Sequence, residues 1–316
     1  MKLTKILSMI LALVMVFAVT ASCGTALAAD DEITIGVSMA TATNNPHIVM
    51  VANSLKEAIE AQGWNCILQD ADNDAAKQSI QFDNLVTMEV DLIAYWAHDR
   101  DAAVADVKKA ADAGIPVIAY FADTAEEAHQ YIECYVGADQ KVIAGELAVV
   151  ADELLGGSGN IVIVNGKEGK SDFIDRSEGF RETIAELGDY TILDEQYSDS
   201  DRTQAQSIME NYMTTYPDID LVFTCSDDFG YGAFNAIDAA GKAGEIKIVS
   251  IDGLEEVLKQ IKEGKWDCTI LQTPMMMADK FVEVATRVLN GEEIEEYNQN
   301  TDYFVVTAEN VDDFLE

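Results

Sequence analysis

Several stretches of this chain carry residues whose types suggest chemistry, and their spacing excludes most of it. In "IVIVNGKEGKS" an apolar run leads into a glycine-rich loop ending Lys170-Ser171. A nucleotide-phosphate loop would need its first glycine at position 164, which holds Val164. "DADNDA" begins like a calcium loop, but the sixth position is Ala75 instead of Gly and the twelfth is Gln81 instead of Glu. Asp74 there reads as a helix cap. The three histidines, His47, His98 and His129, have no H-x-x-x-H spacing, so no metal site is expected. "GGSGN" precedes an apolar run instead of following one, which excludes a nucleophile elbow. Cys66, Cys134, Cys225 and Cys268 lie in no C-x-x-C pair and read as buried free thiols, with disulfides open to an exported chain. No Ser/His/Asp set or carboxylate pair has catalytic spacing. Neither an enzyme nor a cofactor is expected.

The polar residues that remain share one position: each follows an apolar run. Periodicity predicts strands at 33–39, 66–71, 92–95 and 116–121, alternating with helices at 49–62, 75–88 and 102–113. A strand near 131–136 and a helix at 142–155 follow. The order then restarts, with strands at 161–165, 191–196, 221–225 and 246–251 and helices at 178–187, 203–216 and 231–240. The second set repeats the first in detail: "EAIEAQGWNCILQDADND" parallels "ETIAELGDYTILDEQYSDSD", and "DLIAYWAHD" parallels "DLVFTCSDD". An offset of roughly 125–130 residues is too long for a solenoid, so two domains of one architecture are expected. Each is an α/β doubly wound parallel sheet.

Ligands of such sheets sit beyond the carboxyl ends of the strands. The residues there are Asn44, Asn45 and His47; Asp72; Trp96, His98 and Asp99; Phe121 and Asp123. The second half adds residues 167–173, 198–201, Ser226, Asp227 and Asp252. Trp96 and Phe121 also read as plain core, since both end apolar strands. The tail "WDCTILQTP" is a strand ending at Gln272, followed by a helix at 275–289 and "TDYFVVT". Elements this late, after both halves are complete, imply that the chain crosses repeatedly between lobes and forms a hinge. The expected lobes are 32–136 plus 273–302 and 137–272 plus 303–316.

The N-terminus has Lys2 and Lys5 before an apolar stretch at 6–19, too short for a membrane span of about 20 residues. It reads as a signal peptide over 1–22, with a tether at 23–31. Two cleavage sites compete. "VTASC" resembles a lipobox that would leave Cys23 as the lipidated first residue, and "ALAA" at 26–29 suits ordinary signal peptidase. Cys23 is the reading taken. Export to the cell envelope, lipid-anchored to the outer face of the cytoplasmic membrane, is expected. With 57 acidic against 20 basic residues and a net charge of −37, the surface repels nucleic acid and anionic membrane.

In this order the motifs resemble one family, the type I periplasmic binding proteins of sugar ABC importers, most closely the ribose-binding branch. The resemblance covers nearly all of 31–306. Its markers are "NNP" after the first strand, "GIPVI" before the fourth, "DRSEGFRE" in the second half, "SIDG", and "LQTP" at the hinge. It implies two lobes that close on one small solute, a monosaccharide or related polyol, and a permease partner for a monomeric binding protein. A sensor that presents its ligand to a receptor would share the fold. Asn45, Asp252 and Gln272 match ligand residues of the branch, and Ser226 stands where it has a ligand Asn, followed by Asp227 as there. Carboxylates and amides each serve two hydroxyls. The departures are Phe121-Ala122 for an Asp-Arg pair, Ile174 for a ligand Arg, His47 for an aromatic and Trp96 for an Asn. They imply a site with more ring surface and no Arg at these places. An uncharged or cationic ligand is therefore expected, with a nucleoside or amine as the alternatives to a sugar.

Overall fold

The computed structural model describes residues 32–43, 45–198 and 201–315. The expected signal peptide and tether, with Cys23, and Asn44 lie outside them. Among the described residues no helix is long and apolar enough to cross a membrane.

Two six-stranded sheets carry the fold. The first is ordered β11-β5-β4-β3-β1-β2, from β1 (Thr34–Met39), β2 (Asn65–Asp70), β3 (Leu92–Trp96), β4 (Val117–Tyr120), β5 (Cys134–Gly137) and β11 (Asn298–Asn300). Every pairing in it is parallel. The second is ordered β12-β10-β9-β8-β6-β7, from β6 (Ser158–Asn165), β7 (Asp189–Tyr197), β8 (Leu221–Thr224), β9 (Lys247–Asp252), β10 (Cys268–Gln272) and β12 (Tyr303–Thr307). Only β12 is antiparallel. The order 2-1-3-4-5 of the first sheet recurs as 7-6-8-9-10 in the second, which is the internal repeat in three dimensions.

Central strands such as β3, "LIAYW", are buried along their whole length. They need helices on both faces, because an all-parallel sheet leaves neither face to water. Helix α1 (Pro46–Ala61) starts at Asn45, whose side-chain oxygen accepts from Ile48 N at 2.9 Å, with Pro46 in the first turn where its missing N–H costs nothing. Helix α2 (Ala75–Thr87) is capped by Asp74, and α3 (Ala103–Ala113) ends on Gly114 at φ 76°. In the second lobe α4 (Gln140–Leu155) packs against α5 (Ser171–Leu187) so closely that a Cβ at Gly179 would clash with the Lys141 carbonyl oxygen. Helices α6 (Arg202–Thr215), α7 (Asp227–Ala239) and α8 (Glu255–Lys262) complete that lobe.

The chain changes sheet three times. It leaves the first after β5 and enters α4. It returns after β10 through α9 (Pro274–Leu289), which packs on α1, and adds β11 beside β5. It crosses again to β12, which pairs with β10.

Two helices begin at least four residues earlier than their periodicity predicts. Helix α5 starts at Ser171, seven residues before the expected 178, and α7 at Asp227, four before 231. Their first turns bury polar residues, among them Asp172, Arg176, Ser177, Asp227 and Asp228. An apolar stripe cannot reveal a buried turn made of charges.

Candidate functional site

In each sheet the crevice between the first strand and the third is where the winding reverses: β1/β3 in one lobe, β6/β8 in the other. The two crevices face each other. Between them lies a narrow closed cavity of about 20 Å³ lined by Asn45, Ile48, Trp96 and Phe121 from one lobe, and Lys170, Asp172, Phe173, Arg176, Ser226 and Asp252 from the other. A wider open hollow of about 450 Å³ on the second lobe, around Phe173, Glu178, Arg181 and Tyr197, holds no unpartnered buried side-chain atom. The inter-lobe cavity does, and it is the candidate site.

Asn45 is held by its capping bond, which leaves its amide nitrogen for the cavity. Trp96 ends β3, with its ring centroid 4.6 Å from that of Phe121 and its indole Nε1 without a partner. Its carbonyl oxygen accepts from the Gln78 amide at 2.8 Å, which fixes the turn after the strand. Phe121 has φ 71° and Asp252 φ 135°, conformations that L side chains rarely adopt. Such strain persists where surrounding bonds over-determine the backbone, and it concentrates at functional sites. At Phe121 those bonds are its own N–H to Val136 O at 3.0 Å and the Tyr135 hydroxyl to its carbonyl, also at 3.0 Å.

Arg176 is the hub. Fully buried, it donates from Nε to Gln140 Oε1 at 2.7 Å and from Nη1 to Cys225 O at 2.6 Å. Nη1 also lies 3.4 Å from Asp252 Oδ1, while Nη2 has no partner. Gln140, the first residue of α4 after the crossing from β5, donates to Gln272 Oε1 at 3.0 Å, Ala138 O at 3.1 Å and Phe121 O at 3.3 Å. One amide thereby joins the hinge, the aromatic wall and the buried guanidinium. Gln272 keeps a free amide nitrogen.

His47 Nε2 approaches Asp252 Oδ1 at 3.9 Å. Burial, and then the Arg176 charge, hold the imidazole pKa down to about 3, so it is neutral. Burial raises the Asp252 pKa above the usual carboxylate range against the pull of Arg176.

Not every expected residue reaches the cavity. Asp227 faces inward: it accepts from the Ser250 hydroxyl, from the Thr269 hydroxyl at 2.7 Å and from Leu254 N at 2.7 Å. Its oxygens are spent on tying α7 to β9 and β10. Asp99 caps the turn before α3, accepting from Ala102 N at 2.8 Å. Asp123 is taken by Tyr297 and His129. Trp96 and Phe121 are both core and cavity wall. An arginine that the expectation did not name, Arg176, two residues beyond Ile174 and one turn into α5, lines the cavity. Lys170 is also buried there, against the rings of Trp96 at 4.7 Å and Phe173 at 5.3 Å. Arg176, Lys170, Asp172 and Gln140 were legible only as part of a polar loop or a crossing.

The lobes also touch around the rim. Arg100 holds Asp175 with both carboxylate oxygens at 2.9 and 3.2 Å, and Arg100 N donates to Gly169 O at 3.2 Å. Lys167 and Lys170 donate to Asn73, to its carbonyl at 3.1 Å and its side chain at 3.3 Å. The four cysteines Cys66, Cys134, Cys225 and Cys268 are free. Among the described residues no cluster of three or more His, Cys, Asp or Glu could hold a metal.

Residues 35–293 match a family model described as a periplasmic binding protein domain. The chain is similar to the ribose import binding protein of Bacillus subtilis (strain 168), 31% identical over 266 residues that cover 84% of each chain. To the ribose import binding protein of Salmonella typhimurium it is 31% identical over 284 residues, 90% of this chain and 93% of the relative. Its fold is similar to the crystal structure of an ABC transporter solute binding protein from Bacillus halodurans C-125 with bound myo-inositol. The TM-score there is 0.83 at 28% identity, covering 90% of this chain and 97% of that one.

Proposed function

This chain belongs to the periplasmic binding protein family, and we propose from that premise that it captures one small polyhydroxylated solute, a monosaccharide or related polyol, between its lobes. It then delivers the solute unchanged to the permease of an ABC importer. The observation that carries the reading is the cavity between two opposed switch points, walled by rings and by buried polar atoms with unmet hydrogen bonds. Trp96 Nε1 and Arg176 Nη2, both unpartnered, supply donors together with the Asn45 amide, Asp252 and Ser226 supply acceptors, and the free Gln272 Nε2 stands beyond the lining. Trp96 and Phe121 offer faces to the apolar side of a sugar ring. Asp227 supports the site from behind. The lobes act as 32–136 plus 273–302 and 137–272 plus 303–316, hinged at the three crossings. A thermal-shift panel of aldoses, polyols, nucleosides and amines tests the reading. A neutral sugar or polyol should stabilise the protein by several degrees well above its dissociation constant, and stabilisation by nucleosides or amines alone contradicts it. Mass spectrometry of the released solute should find it intact.

The protein is exported and anchored through lipidated Cys23. Cys23→Ala should then release it from the membrane fraction. A mature N-terminus at Ala29, with no change on substitution, would put cleavage at the second site.

A further inference from the structure

Lys170 and Asp172 lie one residue apart at the start of α5, both buried, both on the cavity wall. Neither has a full set of hydrogen-bond partners from protein. Among the described residues the Lys170 ammonium makes one hydrogen bond, the 3.3 Å contact to Asn73 Oδ1, and no ion pair within 4.0 Å. Asp172 Oδ1 has no partner. A buried ammonium has three hydrogens to satisfy and a buried carboxylate two oxygens. Leaving them unmet costs far more than leaving an amide unmet. The two side chains form no ion pair within 4.0 Å of each other, yet they line one space.

We propose that Lys170 and Asp172 form a ligand-reading pair that brackets a hydroxyl of the solute. Lys170 donates to the hydroxyl oxygen and Asp172 accepts a hydrogen bond from the hydroxyl. A hydroxyl is a group that serves both at once; an ammonium cannot accept and a carboxylate cannot donate. The wall carries both signs. Lys170 and Arg176 stand opposite Asp172 and Asp252, so neither sign dominates the lining. A charged solute would unbalance a closed, water-poor space where charge is expensive. The pair therefore selects an uncharged solute. Lys170 already occupies the faces of Trp96 and Phe173 that a cationic solute would need, which argues against the amine reading of these rings. This inference rests on the proposed capture of a monosaccharide or polyol and narrows it.

Charge-reversing selectivity tests the pair in the full chain. Take the neutral sugar that stabilises the wild type best, with its amino-sugar and uronate counterparts, and titrate them against wild type, Lys170→Met and Asp172→Asn by calorimetry. The wild type should prefer the neutral sugar over both charged forms. Each variant should bind that sugar about 30-fold more weakly or worse, as for a lost buried charged hydrogen bond. Lys170→Met should shift relative preference at least about tenfold toward the amino sugar, and Asp172→Asn by as much toward the uronate. A structural role would weaken all three ligands alike. Uniform weakening, or affinities within threefold of wild type, overturns the proposal. Should a variant fail to fold by circular dichroism, Lys170→Gln and Asp172→Ser carry the same readout. If no sugar of any charge binds the wild type, the failure lies with the capture reading. If neutral sugars bind and the preferences do not move in opposite directions, it lies with the pair.

Discussion

Arg100→Met should weaken solute binding at neutral pH and leave it nearly unchanged in acid. Arg100 belongs to the first lobe and Asp175 to the second, so their two-pronged contact exists only while the lobes are closed. Burial pushes the Asp175 pKa up to about 6 even though Arg100 pulls it down. At pH 7 the charged carboxylate therefore lies about 1.4 kcal/mol below its protonated form in the closed protein. Without Arg100 the carboxylate has an alternative to remaining an unpaired buried charge: it takes up a proton. That escape caps the loss at about 1.4 kcal/mol at pH 7, roughly tenfold in dissociation constant. The sign follows from a pKa raised above its open-state value: the protonated form is the one the closed state favours, so the cap shrinks as pH falls through about 6. At pH 5.5 the expected loss is only about 0.2 kcal/mol, within twofold. Calorimetric titrations of wild type and variant at pH 5.5, 7 and 8, with Asp175→Asn as control, measure it. A loss that is the same at all three pH values, or none at pH 8, would refute this account of the latch.

Gln140→Met should remove the amide that joins Arg176, Gln272 and the Phe121 carbonyl, leaving Arg176 Nε buried and unpaired. The expected cost is about 2–4 kcal/mol of unfolding free energy, read as a lower urea midpoint, with weaker solute binding. His47 should contribute to acid sensitivity. Its folded pKa of about 3 lies below the unfolded value, so its share of stability is present above about pH 6.5 and is lost as pH falls toward 3. His47→Gln should therefore spare about 2–3 kcal/mol of the loss between pH 7 and 4.5 in urea titrations. Equal losses in variant and wild type would remove His47 from this role. Burial-raised Asp252 acts in the opposite sense, which is why the comparison with the variant is the informative one.

The architecture was legible because apolar periodicity and an internal repeat both survive in the sequence. β-branched runs mark the strands, and the repeated order of strand and helix fixes two similar lobes. Asn45, Trp96, Phe121, Ser226 and Asp252 were legible for the same reason, since each sits at the carboxyl end of a strand. The hub was hidden. Arg176 lies one turn into α5, where a closed cavity buries charge, and a pattern that equates burial with apolar residues reads such a turn as exposed. Gln140 was hidden because its partners, Phe121, Gln272 and Arg176, come from three separate parts of the chain. Asp227 misled in the other direction. Its neighbours in sequence place it at the cavity, but its bonds to Ser250, Thr269 and Leu254 turn it into the lobe. The polar β11, three residues long, carries no strand signal of its own and is ordered by its pairing with β5.

The central claim is that one uncharged polyhydroxylated solute is held between the lobes with Asp252 among its partners. Calorimetric titration of the best neutral sugar or polyol from the panel into wild type and Asp252→Ala tests it most directly. The account predicts a single site in the wild type. In the variant, with its fold unchanged by circular dichroism, affinity should fall by about 2–5 kcal/mol, thirtyfold or more. Unchanged affinity in Asp252→Ala, or a wild type that binds no neutral sugar or polyol, would contradict it.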